Sequence, residues 1–382
     1  MHKDMIDMSS ASFIGNKLAV SILKKALETK RVASAYLFCG PDGVGKSLAA
    51  LNFAKALLCE KRTNDSCDHC SSCRRVDSGN HPDVHWYKPT GKSRLVKIDQ
   101  IRKELIPQAN LKPFEAEWKV FIIVEADRMN DEAQNAVLKT LEEPPGQSVL
   151  ILVTSNPSAL LPTIVSRCQA IPFLPIPKDE LEAAIAEKWG LAKEEAHLVA
   201  SLACGSMGAT KRLLERENLS RRKVLLTLLA DAPQRTFKEI RDAIHAVEEE
   251  LRQLSTGRRQ REDKRIKAFA KALTTEQRED LIEETDAATA SIIREEQEDI
   301  LNLLASWYRD LLLIKENACS DLVTNSDMME QLRNSAARMT RNQILMGLNA
   351  VEEARRALAL NLPLGFSLQV LFLSAQREMA QT

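Results

Sequence analysis

From residue 11 to about residue 174, short apolar runs bounded by turn residues alternate with stretches whose apolar positions recur at helical spacing. The runs at residues 35–39, 120–124 and 148–154 are almost uninterrupted by polar residues, as strands buried on both faces of a parallel sheet require. Residues 48–58 read as a helix built of good helix formers. The alternation predicts an α/β domain over residues 1–174, with helices on both faces of a parallel sheet. Pro172, Pro175 and Pro177 mark its end. Helical spacing resumes from Lys178 to about Asn218 and predicts a small helical lid over residues 175–235. Residues 236–382 then read as all-α, with only Gly257 and Gly347 before the turn Pro363-Leu364-Gly365. Two segments there, 300–314 and 344–351, are apolar over arcs wider than a lone amphipathic helix needs. Such faces suit burial between subunits or inside the chain's own helical domain.

Between the first strand and the first long helix stands Gly40-Pro41-Asp42-Gly43-Val44-Gly45-Lys46-Ser47, which fits the phosphate-loop pattern G-x-x-x-x-G-K-[ST] in the context that pattern needs. Gly40, Gly43 and Gly45 let backbone N–H groups turn toward an anion, and the helix N-terminus adds partial positive charge. Lys46 is expected to reach the β- and γ-phosphates of ATP, and Ser47 to ligate Mg²⁺. A glycine-rich turn that happens to precede a helix is the alternative.

A second strand should bring a carboxylate to that metal, and residues 120–127 end in Glu125 and Asp127. The run departs from the usual Asp-Glu ending: aligned on Glu125, the metal position holds Val124. ATP binding is therefore expected, and hydrolysis is doubtful. Cys59, Cys67, Cys70 and Cys73 follow the phosphate-loop helix, the last three at C-x-x-C-x-x-C spacing. Gaps of two residues let thiolates converge on one ion, and four thiolates favour tetrahedral zinc in a structural module at about residues 59–73. An iron–sulfur cluster or free reduced thiols are the alternatives.

Composition constrains less. The 382 residues carry 53 basic and 53 acidic side chains, so no chain-wide attraction to DNA is expected. The charged stretch at 247–299, most basic at residues 258–265, interleaves acids with bases and reads as a solvated helix pair or connection before it reads as a nucleic-acid surface. No apolar run reaches the roughly 20 residues of a membrane span. No signal peptide is visible at the charged start, so a reducing, cytoplasmic location is expected.

Taken in order, Ile14-Gly15-Asn16, residues 33–38, the phosphate loop, the cysteine module, His81-Pro82-Asp83, residues 135–145 ending in Glu142-Glu143-Pro144-Pro145, and Ser166-Arg167-Cys168 resemble the bacterial clamp-loader ATPase-fold subunits. The resemblance covers roughly residues 11–215 and implies an AAA+ nucleotide-binding domain, a lid and a helical C-terminal collar. It also implies gamma/tau and delta subunits as neighbours in a five-subunit ring, with the sliding clamp and primer-template DNA reached through the complex. In that family the SRC motif supplies a trans arginine finger, here Arg167. Independently, an Arg fork offered to a neighbour's γ-phosphate neutralises charge developing on the transferred group. A surface arginine in an intrachain salt bridge is the alternative. Among Thr154, Ser155 and Asn156, Ser155 is expected to be the polar sensor of the γ-phosphate, with polar strand-end residues capping a turn as the alternative. Gly208 stands where active relatives place a helical sensor arginine, with Lys211 or Arg212 as possible substitutes. The resemblance thus implies a non-motor stator that helps load the clamp during DNA replication, or alternatively an ATP-hydrolysing motor like gamma or tau.

Overall fold

The computed structural model describes residues 13–61, 65–90, 94–215, 218–269, 275–360 and 362–380. They form two compact units, one of residues up to 188 together with 204–208, the other of 189–203 and the residues from 209 onward.

The first unit alternates helices and strands as the apolar pattern requires. In order it holds α1 (Lys17–Glu28), β1 (Ala35–Cys39), α2 (Lys46–Leu58), α3 (Ser71–Asp77), β2 (Val84–Tyr87), α4 (Ile106–Ala109), β3 (Lys119–Val124), α5 (Asp131–Glu142), β4 (Ser148–Thr154), α6 (Pro162–Val165), β5 (Gln169–Pro172) and α7 (Lys178–Trp189). The five strands pair in parallel in the order β2-β3-β4-β1-β5. Successive side chains of β1, β3 and β4 enter opposite faces of the sheet. Tyr36, Phe38, Val120, Ile122, Val149 and Ile151 meet α1 and α2 on one face. On the other, Leu37, Phe121, Ile123, Leu150 and Leu152 meet Ala133, Val137 and Leu141 of α5. With both faces covered, alternation of side chains produces no alternation of polarity, and the strands read as continuous apolar runs.

The second unit is helical: α8 (Lys193–Ala203), α9 (Met207–Leu214, which begins in the first unit), α10 (Asn218–Asp231), α11 (Phe237–Phe269), α12 (Thr275–Lys315), α13 (Met329–Arg338), α14 (Arg341–Ala359) and α15 (Leu364–Ala380). The apolar arc at 300–314 is largely internal. Ile300, Leu301, Leu304, Trp307, Tyr308 and Leu311 are buried against α10, α11, α13, α14 and α15. The exposed apolar side chains lie elsewhere, with Leu345 and Met346 on α14 and Phe366 and Val370 on α15. Gly347 makes the α12–α14 approach possible, because a Cβ there would stand 2.1 Å from the Tyr308 ring. Buried Arg221 pairs with Glu250 and Glu296, and buried Arg222 with Asp327, so both of these buried guanidinium charges are compensated. The basic run at 258–265 lies along α11, and its side chains fall outside the described residues.

Candidate functional site

Parallel pairing aligns the C-terminal ends of β1, β3 and β4: Cys39 stands opposite Thr154, and Val124 opposite Val153. The loops that leave these ends therefore share one edge of the sheet, where ligands bind in open α/β folds. The phosphate loop leaves β1 there. Its glycines occupy conformations that other residues rarely adopt, with φ of 151° at Gly40, 74° at Gly43 and 102° at Gly45. Gly40 lies so close to the residue that follows β5 that a Cβ would stand 2.0 Å from the Phe173 carbonyl oxygen. Helix α2 starts directly behind the loop, with Gly45 at its N-cap.

Lys46 is buried, and its Nζ donates to the Gly40 and Pro41 carbonyls at 2.6 Å each, with the Asp42 carboxylate at 3.4 Å. Burial pushes its pKa down against the attraction of Asp42 and Asp127. The ammonium is thus held over the loop by the loop's own carbonyls, ready to exchange those acceptors for a phosphate. Ser47 follows it, exposed at the start of α2. The segment 205–208 closes on the same loop, with the Gly208 N–H donating to Gly43 O at 3.0 Å and Ser206 Oγ to Asp42 O at 3.1 Å. Asn16 braces it from the other side: its amide donates to Leu174 O at 3.0 Å and Val44 O at 3.4 Å, and accepts from Leu174 N–H at 2.6 Å. Asn16 appeared in the sequence as part of a motif without a role, and this bracing supplies one.

The two acids after β3 part company. The strand stops at Val124, and Glu125 takes φ 53°. Arg94 then grips it with Nη2 at 2.6 and 2.8 Å from the two carboxylate oxygens. Asp127 instead accepts from Thr154 Oγ1 at 2.5 Å and lies within electrostatic reach of Lys46. Of the two acids, it is thus Asp127 that acts electrostatically on Lys46, while Glu125 is held by Arg94. Ser155 is exposed, whereas Thr154 is buried beside Gly40, whose N–H reaches Thr154 O at 3.3 Å.

Arg167 sits past α6, its Nη2 2.7 Å from Glu142 and its Nη1 donating to Thr163 O at 3.0 Å. This is the intrachain salt bridge. It is also a loose one, since the two side chains are 36% and 49% exposed. Arg212 is not available to a phosphate, because Asp299 at 2.5 Å and Glu295 at 3.2 Å bind it in the helical unit.

Cys59, at the end of α2, meets Cys67, Cys70 and Cys73 with all four sulfurs within 4.8 Å of one another. Tetrahedral thiolates about 2.3 Å from a zinc ion stand about 3.8 Å apart, so the set fits such an ion with a small contraction. Hydrogen bonds from the backbone of His69, then of Cys70, outweigh burial and pull the Cys67 thiol down to about 6, while burial pushes Cys59 and Cys73 up. The module is fastened to the sheet by His81-Pro82-Asp83. Ser72 Oγ lies 2.9 Å from His81 Nε2, and His81 Nδ1 accepts the Asp83 N–H at 3.1 Å. The Asp83 carboxylate accepts from the N–H groups of Phe114, Glu115 and Ala116 at 2.6–3.0 Å.

Residues 15–177 match the sequence profile of a family described as "DNA polymerase III, delta subunit", and residues 260–361 match that of "DNA polymerase III, delta subunit, C terminal". The chain belongs to the DNA polymerase III subunits that these profiles describe. Relatives of this chain include DNA polymerase III subunit delta' of Bacillus subtilis, 38% identical over 170 residues, which is 44% of this chain and 50% of that one. The delta' subunit of Pseudomonas aeruginosa is 40% identical over 147 residues, 37% of this chain and 44% of its own. DNA polymerase III subunit tau of Bacillus subtilis is 34% identical over 209 residues, 53% of this chain and 36% of its own. The aligned part thus spans half or less of each relative's length. No described helix is long and apolar enough to cross a membrane.

Proposed function

We propose that this clamp-loader subunit is a delta prime-like stator: it holds ATP with little or no hydrolysis, offers Arg167 to a neighbouring ATPase subunit, and so helps load the sliding clamp on primed DNA. One observation carries the reading. A complete phosphate loop is combined with a Glu125 that is ion-paired with Arg94, while the carboxylates that act on Lys46 are those of Asp42 and Asp127 and, among the described residues, of no glutamate. Lys46 would bind the phosphates, and Ser47 with Asp127 would hold Mg²⁺. The sensor arginine is lacking too, with Gly208 at its position and Arg212 committed to Asp299.

Arg167 is suited to act in trans because its present partner is easily exchanged. An exposed ion pair is worth about 0–1 kcal/mol, far less than a charge-assisted contact to a transferring phosphoryl group. The four thiolates would hold structural zinc, with no coordination position left open for catalysis. Exposed apolar side chains on α14 and α15 would join the collar of a five-subunit ring with gamma/tau and delta subunits in the cytoplasm, at the replisome. Similarity to tau keeps a second reading, an ATP-hydrolysing motor subunit, in view.

The test is a loader reconstituted with Arg167→Ala at full occupancy, beside steady-state ATPase of the purified chain. The variant should fold and join the ring, and DNA- and clamp-stimulated hydrolysis should fall partly, because other interfaces keep their own arginines. Unchanged hydrolysis and loading would remove the trans role. Sustained turnover by the chain alone at a motor subunit's rate would favour the second reading.

A further inference from the structure

Lys55 lies on α2, one turn before Cys59, and its side chain is wholly buried. A buried ammonium persists only where carboxylates compensate its lost hydration. Its partners are Asp68, in direct contact, and Asp77 at 3.0 Å. Burial works against the charge of Lys55, and these two carboxylates more than restore it. Both acids belong to the cysteine module. Asp68 sits between Cys67 and Cys70 with φ 57°, and Asp77 ends α3, the helix that carries Cys73. One cation therefore ties each of the other two cysteine-bearing segments to the helix that supplies Cys59.

We infer that Lys55 is a positioning residue for the cysteine metal site, holding the Cys67–Cys70 turn and α3 against α2 so that the four thiols converge before an ion arrives. The inference rests on the reading that these thiols hold zinc. It gives the ion pairs a role beyond packing: a turn held at positive φ by a buried partner presents the Cys67 and Cys70 sulfurs in a fixed direction, and metal ligands so oriented lose less freedom on binding. It also places the control of metal affinity on α2, whose first turn carries Lys46 and Ser47.

The test uses the full chain, purified under reduction, with zinc partitioned against a chromophoric chelator. Lys55→Met should weaken zinc binding about 10–100-fold, the range found when groups that orient metal ligands are removed. Lys55→Arg should recover much of the loss. Asp68→Asn, which removes one contact and leaves Asp77 to neutralise the ammonium, should give a smaller weakening and keeps the test open if Lys55→Met fails to fold. Melting curves of metal-loaded and metal-free protein supply the control. If the variants lower both melting temperatures equally and leave zinc affinity unchanged, the lysine is structural only and the inference is overturned. Wild-type protein that takes up no zinc would overturn the zinc reading and the inference with it, an outcome distinct from equal binding by wild type and variants.

Discussion

Gly40 shows how much of the phosphate-loop geometry is decided by single backbone positions. With φ of 151° and the Phe173 carbonyl where its Cβ would go, Gly40→Ala should cost about 1–3 kcal/mol in strain alone. It should also loosen the pairing of β1 with β5. Thermal unfolding should register the loss, and a fluorescent nucleotide should bind more weakly even though Lys46 is untouched. Asp83 makes a prediction of a different kind. Burial alone would raise its carboxyl, but N–H groups of Glu115, Phe114 and Ala116 outweigh burial and hold it below the ordinary carboxylate value. The stabilisation is therefore complete above the unfolded-state value near 4 and is lost as pH falls through the lower, folded value. Asp83→Asn should be less stable than wild type by about 2–4 kcal/mol at pH 7. The gap should narrow below about pH 4, as melting temperatures across pH 2–7 would reveal; a constant gap would refute the ionic origin. The sequence made the glycines, Lys46 and the four cysteines legible, because local spacing dictates their roles. The turn at Glu125 and the pairing of Thr154 with Asp127 could not be read there, since they depend on Arg94 and β4, which are distant in the chain.

At the scale of elements, strands buried on both sides announced themselves as apolar runs, and β4 begins and ends where its run does. The helical region was legible as helices but not as an interior. An apolar arc looks the same whether a neighbouring subunit or the chain's own α11, α13 and α14 covers it, and for residues 300–314 it is largely the chain itself. The close approach of α12 to α14 gives this packing a sharp test. Gly347→Ala pushes a methyl to within 2.1 Å of the Tyr308 ring, so the two helices must separate or the ring must leave its place. Overpacking of this sort costs about 1–3 kcal/mol. Denaturant unfolding followed by Trp307, buried on the same helix, should shift accordingly. An unchanged midpoint would mean the helices have slack that the structure denies them.

For the molecule as a whole, the strand order sets a schedule. Strand β1 is made early, but both of its partners, β4 and β5, follow more than a hundred residues later, and the carbonyl against which Gly40 closes belongs to Phe173. During synthesis the phosphate loop must therefore wait, its lysine and glycines already present and its geometry absent. The cysteine set is complete by residue 73, and its members are never more than 14 residues apart, so it closes through short loops while the sheet is still open. Chains ended just before β4 should accordingly take up zinc yet fail to retain nucleotide, and chains extended past Phe173 should gain it. On the proposed reading, a growing chain would be anchored by its metal first and acquire its nucleotide pocket last, which would leave the α2 helix fixed at its far end before its near end has anything to bind.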